Sequence, residues 1–373
     1  MKTSATLLFC CIALASCGQS GSDTTASSAA IVASSAAAET SSVQATNDAA
    51  FTGANSRLIG RFDTAETGKA QFTWPGSAIE FTFEGSNASI NLQSAERVRF
   101  EVNVDGEKKT LWVDANETRY PLATDLAPGK HTIRLTRVSE SSAGVTALTS
   151  DPQTDGQLLA APQAPDRQLL VIGDSITAGY GVEGDSAECK YSLDTSTQQL
   201  TYAALAAQKL DADLQAIAWS GIGAWRSYGE ETPTSPTILT RYQRTLATDE
   251  NSRWDVTQYQ PDAIIINIGT NDFWQGSVTE EYRHGMSQLI TQVQTDYAGK
   301  PVYVMVSPML SGDARSSQTE ILSSLTNDNI HLLDAGKIEA EDGLGCDYHP
   351  NLTTQQRLAD AVGERLAKDL GWQ

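Results

Sequence analysis

The sequence predicts two domains of different fold class, an N-terminal antiparallel β-sandwich and, after it, a three-layer α/β domain with a mainly parallel sheet. Residues 51–140 alternate between apolar and polar side chains with period two, as in strands that face a core on one side. After residue 167 the apolar runs become continuous, as in parallel strands covered on both faces, and helical stretches separate them. A chain of 373 residues is long enough for two such domains.

The N-terminus predicts export. Lys2 precedes an apolar stretch, residues 7–14, which has the character of a secretory signal and is too short to span a bilayer. Residues 14–17, with the sequence LASC, resemble the lipobox of bacterial lipoproteins. We therefore expect residues 1–16 to be a lipoprotein signal peptide and Cys17 to be lipidated, which would anchor the exported protein to the outer membrane. An ordinary signal peptide with a chance cysteine is the alternative.

The rest of the chain divides into four segments by composition. Residues 17–50 are rich in Ser and Ala and contain no aromatic residue, which predicts a disordered tether. The sandwich follows at residues 51–140. Residues 141–166 are polar, contain three prolines and are predicted to be a linker. The α/β domain occupies residues 167–373, with strands expected at residues 169–172, 263–266 and 302–306 and helices at about residues 198–210, 279–297 and 353–370.

The acidic composition limits the partners. The formal net charge is −20 and the pI is about 4.5, so the chain repels phosphate backbones and a nucleic-acid partner is not expected. No internal apolar run reaches the length of about 18 residues that spans a bilayer. We expect membrane contact only through lipidated Cys17, and the composition leaves the oligomeric state open.

The cysteines fit an oxidising compartment. Of the five, Cys10 and Cys11 lie in the signal segment and Cys17 would be lipidated. Cys189 and Cys346 remain, and two leftover thiols in an exported protein can pair. We predict a disulfide between them, with two free thiols as the alternative.

A candidate nucleophile follows the first strand of the α/β domain. Ser175 stands in the sequence Gly-Asp-Ser-Ile-Thr, residues 173–177, at a predicted strand-to-helix turn. Such a turn exposes a hydroxyl above the sheet and can direct a backbone N–H toward an oxyanion. Helix capping by an Asp-Ser turn is the alternative.

Two further strand ends supply candidate oxyanion donors. Gly221 lies in a Ser-Gly turn, where the lack of a side chain lets its N–H approach a ligand. Asn271 follows the strand at residues 263–266, and its side-chain N–H can stabilise an oxyanion. Each is also compatible with an ordinary turn, Asn271 as part of an Asn-Asp helix cap.

The candidate base is His349. Of four histidines, it alone stands in a predicted loop with an acid, Asp347, two residues before it. His131 and His331 fall in predicted strands, and His284 falls on a charged helix. His349 can take a proton from Ser175 while a carboxylate orients its other ring nitrogen.

In the order Ser175, Gly221, Asn271 and His349, these blocks resemble those of the SGNH/GDSL hydrolases over about residues 168–370. The sequences GDSITAGYG, WSGIG and DYHP, which begin at residues 173, 219 and 347, more narrowly resemble carbohydrate esterase family 2. That resemblance implies a jelly-roll-like sandwich joined to an SGNH domain, and removal of O-acetyl groups from polysaccharides such as xylan or glucomannan.

The resemblance is incomplete at the third member of the triad. SGNH hydrolases usually place an aspartate three residues before the histidine, where this chain has Cys346. We predict that Asp347 takes the role, with a backbone carbonyl as the alternative. The proposed oxyanion hole consists of the N–H groups of Ser175 and Gly221 and the side chain of Asn271. No cofactor is expected, and the scattered histidines do not suggest a metal site.

Aromatic residues beside the blocks are candidates for sugar contact, or for the core. They are Trp274 and Phe273 after Asn271, and Trp225 after Gly221. The predicted function is that of a serine carbohydrate esterase acting on acetylated polysaccharide. A short-chain esterase or lysophospholipase on the same fold is one alternative, and a non-catalytic surface protein that binds glycan is another.

Overall fold

The computed structural model describes residues 50–116, 118–276 and 278–372. The predicted signal peptide, the lipidation site at Cys17 and nearly all of the predicted tether lie outside these residues. Within the described part of the chain, no helix is both long and apolar enough to cross a membrane.

The first part of the described chain forms two antiparallel sheets around one apolar core. The first sheet has the strand order β1-β3-β8-β5-β6, with β11 paired to β3; the second has the order β10-β4-β9-β2, with β7 paired to β4. The strands are β1 (Ser56–Ile59), β2 (Ala70–Phe72), β3 (Ala78–Gly85), β4 (Ala88–Ser94), β5 (Val98–Val104), β6 (Glu107–Val113), β7 (Arg119–Ala123), β8 (Gly129–Arg137), β9 (Thr146–Leu148), β10 (Gln153–Thr154) and β11 (Gln157–Leu158). The predicted sandwich is therefore confirmed.

Strand β3 shows why the alternating sequence folds in this way. Phe81 and Phe83 are completely buried between the sheets, whereas Glu80 and Glu84 lie on the other face. Successive side chains of a strand point to opposite faces, so period two in the sequence becomes one apolar face and one polar face.

The predicted linker at residues 141–166 is wrong over most of its length. β9 is fully buried and pairs with both β2 and β4, and β10 and β11 extend the two sheets. The sandwich therefore continues to Leu158. These strands have two or three residues each, too few to show a period, and partners far away in the sequence define them.

The second part is a three-layer α/β domain, as predicted. Its parallel sheet has the order β13-β12-β14-β15-β16, with α2 and α6 on one face and α3, α4 and α5 on the other. The strands are β12 (Arg167–Gly173), β13 (Ala212–Ala218), β14 (Ala263–Asn267), β15 (Val302–Met305) and β16 (Ile330–Leu333). The helices are α1 (Ser175–Ala178), α2 (Tyr202–Lys209), α3 (Ile238–Tyr242), α4 (Thr279–Asp296), α5 (Gly312–Ser324) and α6 (Leu352–Leu370).

The strand order creates a crevice at the carboxyl edge of the sheet. From β12 the chain passes to β13 on one side and then to β14 on the other, and Gly173 pairs with both Ala218 and Asn267. A reversal of this kind is where α/β sheets bind ligands. The loops that follow β12, β13 and β14 carry Ser175, Gly221 and Asn271.

Side chains from the sandwich enter the α/β domain. Trp74 is part of the apolar core on the α3–α4 face, and its Nε1–H donates to the carbonyl of Thr245 over 2.9 Å. The guanidinium of Arg61 is completely buried and donates to the carbonyls of Tyr242 and Arg244. The two domains therefore share part of their interior.

Candidate active site

Ser175 lies at the first position of helix α1, directly after strand β12. The buried side chain of Asp174 caps this helix, because its Oδ1 accepts the N–H of Ile176 over 3.0 Å. A Cβ on Gly173 would collide with Thr177, so only glycine permits so close a turn. The result is a serine that is 4 % exposed and borders the crevice at the edge of the sheet.

Ser175 and His349 are hydrogen-bonded across the domain. The Oγ of Ser175 lies 2.9 Å from Nε2 of His349, and Nδ1 lies 3.0 Å from the main-chain carbonyl oxygen of Asp347. Since a carbonyl only accepts, Nδ1 carries the hydrogen and Nε2 is the acceptor of the serine hydroxyl. Burial lowers the pKa of His349 below its ordinary value of 6.5, so the imidazole is neutral at pH 7 and able to act as a base.

The prediction that the carboxylate of Asp347 orients His349 is wrong. The main-chain carbonyl of the same residue does so, and the carboxylate points to a different set of partners. It accepts the Tyr180 hydroxyl over 2.8 Å, the Lys190 ammonium over 2.7 Å and the backbone N–H of Tyr191 over 3.0 Å. The hydrogen bond from Lys190 is the largest of the causes that lower the pKa of Asp347 to about 2.

The backbone conformation of Asp347 accounts for this exchange of roles. Asp347 and Tyr348 have φ values of +50° and +63°, in the left-handed region that L residues adopt rarely. This turn directs the carbonyl of Asp347 to the imidazole and its side chain away from it. Each such residue costs about 1–3 kcal/mol, so the surroundings must hold the turn in place.

The predicted disulfide is confirmed, and it supports this turn. Cys189 and Cys346 are bonded, with their Cα atoms 4.5 Å apart. The backbone N–H of Asp347 donates to the carbonyl of Cys189 over 2.9 Å, and that of Cys346 to Gly181 over 3.1 Å. The segment before His349 is therefore tied to the segment that follows α1.

Tyr180 completes the support of His349 and was not predicted as a site residue. Its ring stacks on the imidazole, with the ring centroids 4.2 Å apart and the planes at 27°. Its hydroxyl is the one that binds Asp347, so Tyr180 contacts both the base and the residue that orients it. The tyrosine lies inside the sequence GDSITAGYG, but Asp347 and His349 are 167 and 169 positions away from it in the sequence.

The predicted oxyanion donors surround the same space. Gly221 has a φ of +79°, and its carbonyl accepts the N–H of Tyr228 over 2.8 Å. The side-chain Nδ2 of Asn271 donates one hydrogen to the carbonyl of Ile222 over 2.8 Å, which fixes the amide and leaves its second hydrogen. Ser175, Gly221 and Asn271 all line one cavity.

Asp272 fastens the loop after Gly221 to the end of β14. Its buried carboxyl accepts the N–H groups of Ala224, Trp225 and Arg226 over 2.8–3.2 Å. Burial raises the pKa of Asp272 to about 6. Asp272, which directly follows Asn271, therefore fixes the Gly221 loop relative to Asn271.

The cavity has a volume of about 500 Å³, which is in the range of small-molecule binding sites. One wall is aromatic, because the rings of Tyr228 and Trp274 lie 5.4 Å apart, and Tyr228 is 68 % exposed. The lining residues are Ser175, Tyr180, Ser220, Gly221, Tyr228, Thr270, Asn271, Phe273, Trp274, Met309, Leu310, Asp347 and His349.

The three predicted aromatic contacts have different positions. Trp274 lines the cavity and is anchored by its Nε1–H, which donates to the main-chain carbonyl of Glu230 over 3.1 Å. Phe273 borders the cavity but is 6 % exposed and packs in the core. Trp225 does not line it: Asp272 holds its backbone, and its ring packs against the core and the Arg226 guanidinium. The prediction for Trp225 is therefore wrong.

Models of known families match both domains. The model described as carbohydrate esterase 2 N-terminal matches residues 58–162, and the GDSL-like lipase/acylhydrolase family matches residues 171–357. The first match ends close to the end of the sandwich in the structure, and the second begins inside β12.

The relatives agree with these matches. The chain is 32 % identical over 322 residues to the cellulase/esterase CelE of Acetivibrio thermocellus, an alignment that covers 84 % of this chain and 39 % of that protein, so the chain spans about two fifths of this relative. It is 27 % identical over 316 residues to an acetylxylan esterase / glucomannan deacetylase of Cellvibrio japonicus, covering 80 % and 86 % of the two.

A solved structure is similar over almost the whole described chain. It is a family two carbohydrate esterase from Clostridium thermocellum in complex with cellohexaose, with a TM-score of 0.81 and 32 % identity. The match covers 85 % of this chain and 100 % of that one.

Proposed function

This chain belongs to carbohydrate esterase family 2 and is a carboxylic ester hydrolase, and we propose that it removes O-acetyl groups from a plant polysaccharide such as xylan or glucomannan. The observation that carries the proposal is the 2.9 Å hydrogen bond from Ser175 to neutral His349 at the wall of a cavity that Gly221 and Asn271 share. Relatives named as acetylxylan esterase / glucomannan deacetylase support the substrate class.

The first half of the reaction forms an acetyl-serine. His349 takes the hydroxyl proton of Ser175 at Nε2 while Oγ attacks the acetyl carbonyl carbon. The negative charge on the carbonyl oxygen is stabilised by the N–H groups of Ser175 and Gly221 and by the free hydrogen of the Asn271 amide. A single donor of this kind typically contributes about 2.7–4 kcal/mol to the transition state. The bond to the sugar oxygen then breaks, and His349 returns the proton to that oxygen.

The second half releases acetate. Water loses a proton to Nε2 of His349 and attacks the acetyl carbon, and the same three donors stabilise the second oxyanion. Ser175 then leaves with the proton from His349. The carbonyl of Asp347 accepts the Nδ1–H throughout, and so stabilises the imidazolium that forms in each half.

The proposed sugar contact is the aromatic wall. Flat apolar faces suit pyranose rings, and we propose that Trp274 stacks on the sugar that carries the acetyl group. Trp274→Ala should raise KM for acetylated polysaccharide and leave KM for 4-nitrophenyl acetate unchanged. Trp225→Ala is the matched control, because that ring lies outside the cavity. Equal effects of the two variants on polysaccharide would contradict the proposal.

The decisive experiment measures acetate release from acetylated xylan and acetylated glucomannan by the wild type and Ser175→Ala, with 4-nitrophenyl acetate alongside. Release from a polysaccharide that disappears in Ser175→Ala is the expected result. Turnover of the small ester alone would retain the chemistry and favour a short-chain esterase. No turnover of any substrate would favour a glycan-binding role.

The sequence supports a further proposal about location. Residues 1–16 are removed on export, and lipidated Cys17 anchors the enzyme to the outer membrane. In cells that express the full chain, the wild type should fractionate with membranes and Cys17→Ser with the soluble exported proteins. Equal fractionation of the two would contradict this.

A further inference from the structure

A buried carboxyl group from the sandwich contacts the residue that precedes Gly221, one of the proposed oxyanion donors. Glu140 follows strand β8 and is 3 % exposed. Its Oε1 accepts the hydroxyl of Ser220 over 2.6 Å. Ser220 belongs to the other domain, directly precedes Gly221 and lines the cavity. The contact therefore joins the sandwich to the turn that presents the N–H of Gly221.

The sandwich holds Glu140 rigidly. The completely buried guanidinium of Arg137 donates to the carbonyl of Glu140 over 2.8 Å and to the hydroxyl of Thr146 over 3.0 Å. Thr146 lies in β9, which pairs with two strands of the second sheet. The backbone of Glu140 is thus anchored to the sandwich.

The buried position of the Glu140 carboxyl group is energetically unfavourable. Among the described residues no cation is within ion-pair distance of it, and burial raises its pKa to about 7 although hydrogen bonds from Ser220 oppose the rise. A buried carboxyl without an ionic partner destabilises a fold unless its hydrogen bonds compensate. The carboxyl group accepts the hydroxyl of Ser220, the residue next to Gly221, so its effect falls on that turn.

Gly221 needs such support more than the other donors do. Ser175 is held by helix α1, and the amide of Asn271 is held by Ile222, whereas Gly221 has no side chain and a φ of +79°. Its carbonyl side is fixed by the N–H of Tyr228. The N–H of Gly221 belongs to the peptide bond between Ser220 and Gly221. The hydrogen bond from Ser220 to Glu140 restrains Ser220, and through it this peptide bond.

We propose that Glu140 is a positioning residue of the esterase, which holds the Ser220–Gly221 turn so that the N–H of Gly221 meets the oxyanion. The proposal rests on the function proposed above. It gives the sandwich a part in the reaction without any contact between sandwich and substrate.

The test compares kcat and KM for 4-nitrophenyl acetate in Glu140→Ala, Glu140→Gln, Ser220→Ala and the double variant Glu140→Ala/Ser220→Ala. We expect Glu140→Ala and Ser220→Ala each to lower kcat about 10- to 100-fold with KM within about twofold, because a misplaced donor weakens transition-state binding alone. The double variant should be no worse than the worse single one. Glu140→Gln keeps an acceptor for Ser220 and should restore kcat to within about threefold.

Arg57→Gln is the control for domain docking. Arg57 joins the sandwich to Asp213 at the far end of β13, away from the cavity, so its loss should lower the melting temperature without changing kcat. Unchanged kcat in a folded Glu140→Ala, or additive losses in the double variant, would overturn the proposal. Should Glu140→Ala fail to fold, wild-type kcat in Ser220→Ala overturns it. Activity that survives Ser175→Ala would refute the proposed function instead.

Discussion

The Ser175 turn, residues 173–178, and the His349 loop, residues 345–351, supply the two halves of one hydrogen bond, but they are held in different ways. Local backbone geometry fixes the Ser175 turn: a strand ends, a glycine permits the turn, and a capped helix begins. The His349 loop has two consecutive left-handed residues and depends on contacts with residues 180–191.

The carboxyl groups of the two segments differ in the same way. Burial raises the pKa of Asp174 to about 7, so this helix cap is close to the point where it loses its charge. Hydrogen bonds from Lys190 and Tyr180 lower the pKa of Asp347 to about 2, so this residue is a carboxylate in almost all conditions. Asp174 supports the site as a buried helix cap, and Asp347 supports it as a carboxylate that binds Tyr180 and Lys190.

The comparison distinguishes substitutions that should remove a reacting group from substitutions that should only weaken the contacts holding that group in place. Replacing a group that takes part in the reaction should remove nearly all activity. Replacing a group that only positions the base should lower kcat less, because the base is still correctly placed part of the time. Four changes to the His349 loop and its counterpart test this difference.

The largest effect is expected for His349→Ala. Without a proton acceptor at 2.9 Å from the serine hydroxyl, kcat should fall by about 10⁴- to 10⁶-fold. Acetate release from 4-nitrophenyl acetate measures it. His284→Ala, on the exposed side of α4, is the control and should match the wild type. A loss of less than about 100-fold would mean that another group is the base.

Replacing both Cys189 and Cys346 with serine should mainly destabilise the fold. Removal of a disulfide that closes a long loop typically costs about 2–5 kcal/mol in the free energy of unfolding, and here 157 residues separate the two cysteines. Denaturant unfolding measures the cost. We also expect kcat to fall, but far less than in His349→Ala. An unchanged unfolding midpoint would show that hydrogen bonds alone hold the loop.

Asp347→Asn should be milder still. Asparagine keeps a carbonyl oxygen for Tyr180 and Tyr191 and leaves the main-chain carbonyl on His349, so we expect a loss in kcat below about tenfold. A carboxylate that orients a catalytic histidine contributes around 10⁴ instead. Kinetics on the small ester distinguish the two, and a loss near the larger value would restore the side chain of Asp347 to the triad.

The stability of the fold should depend on pH in opposite directions through Asp347 and Asp174. Asp347 has a lowered pKa, so its contribution is present above the ordinary value of 3.8 and is lost as the pH falls toward about 2. Asp174 has a raised pKa, so its contribution is present below 3.8 and is lost as the pH rises to about 7. Asp174→Asn should therefore flatten the fall in unfolding free energy between pH 4 and pH 7. Slopes that match the wild type would contradict the assignment.

The sequence predicts one of these segments better than the other for a physical reason. Ser175, Gly221 and Asn271 lie at the ends of strands whose positions follow from short apolar runs, and parallel strands bring their ends together. The geometry at Ser175 depends on neighbours within a few residues, whereas Gly221 and Asn271 also depend on contacts about 50 or more residues away in the sequence. The fold class, the helices α2, α4 and α6, and the Ser175 turn are therefore predictable from local pattern, whereas α3 and α5 were not predicted.

The errors have the opposite origin. The spacing of Asp347 and His349 indicates proximity, but which group of Asp347 meets the imidazole depends on Lys190 and Tyr191, more than 150 residues away. β9 has three residues and is a strand only because two others flank it. Trp225 and Trp274 look alike in sequence, but only Trp274 lines the cavity, where its Nε1–H donates to the carbonyl of Glu230, 44 residues away.

The burial of Trp74 and Arg61 inside the α/β domain makes that domain depend on the sandwich for its own interior. An enzyme that lost its sandwich would open an apolar hole where Trp74 now packs and would leave the carbonyls of Tyr242 and Arg244 without their donor. Such a loss leaves buried polar groups unsatisfied and an interior exposed to water. The α/β domain expressed without the sandwich is therefore expected to be unstable, because its interior is completed by Trp74 and Arg61.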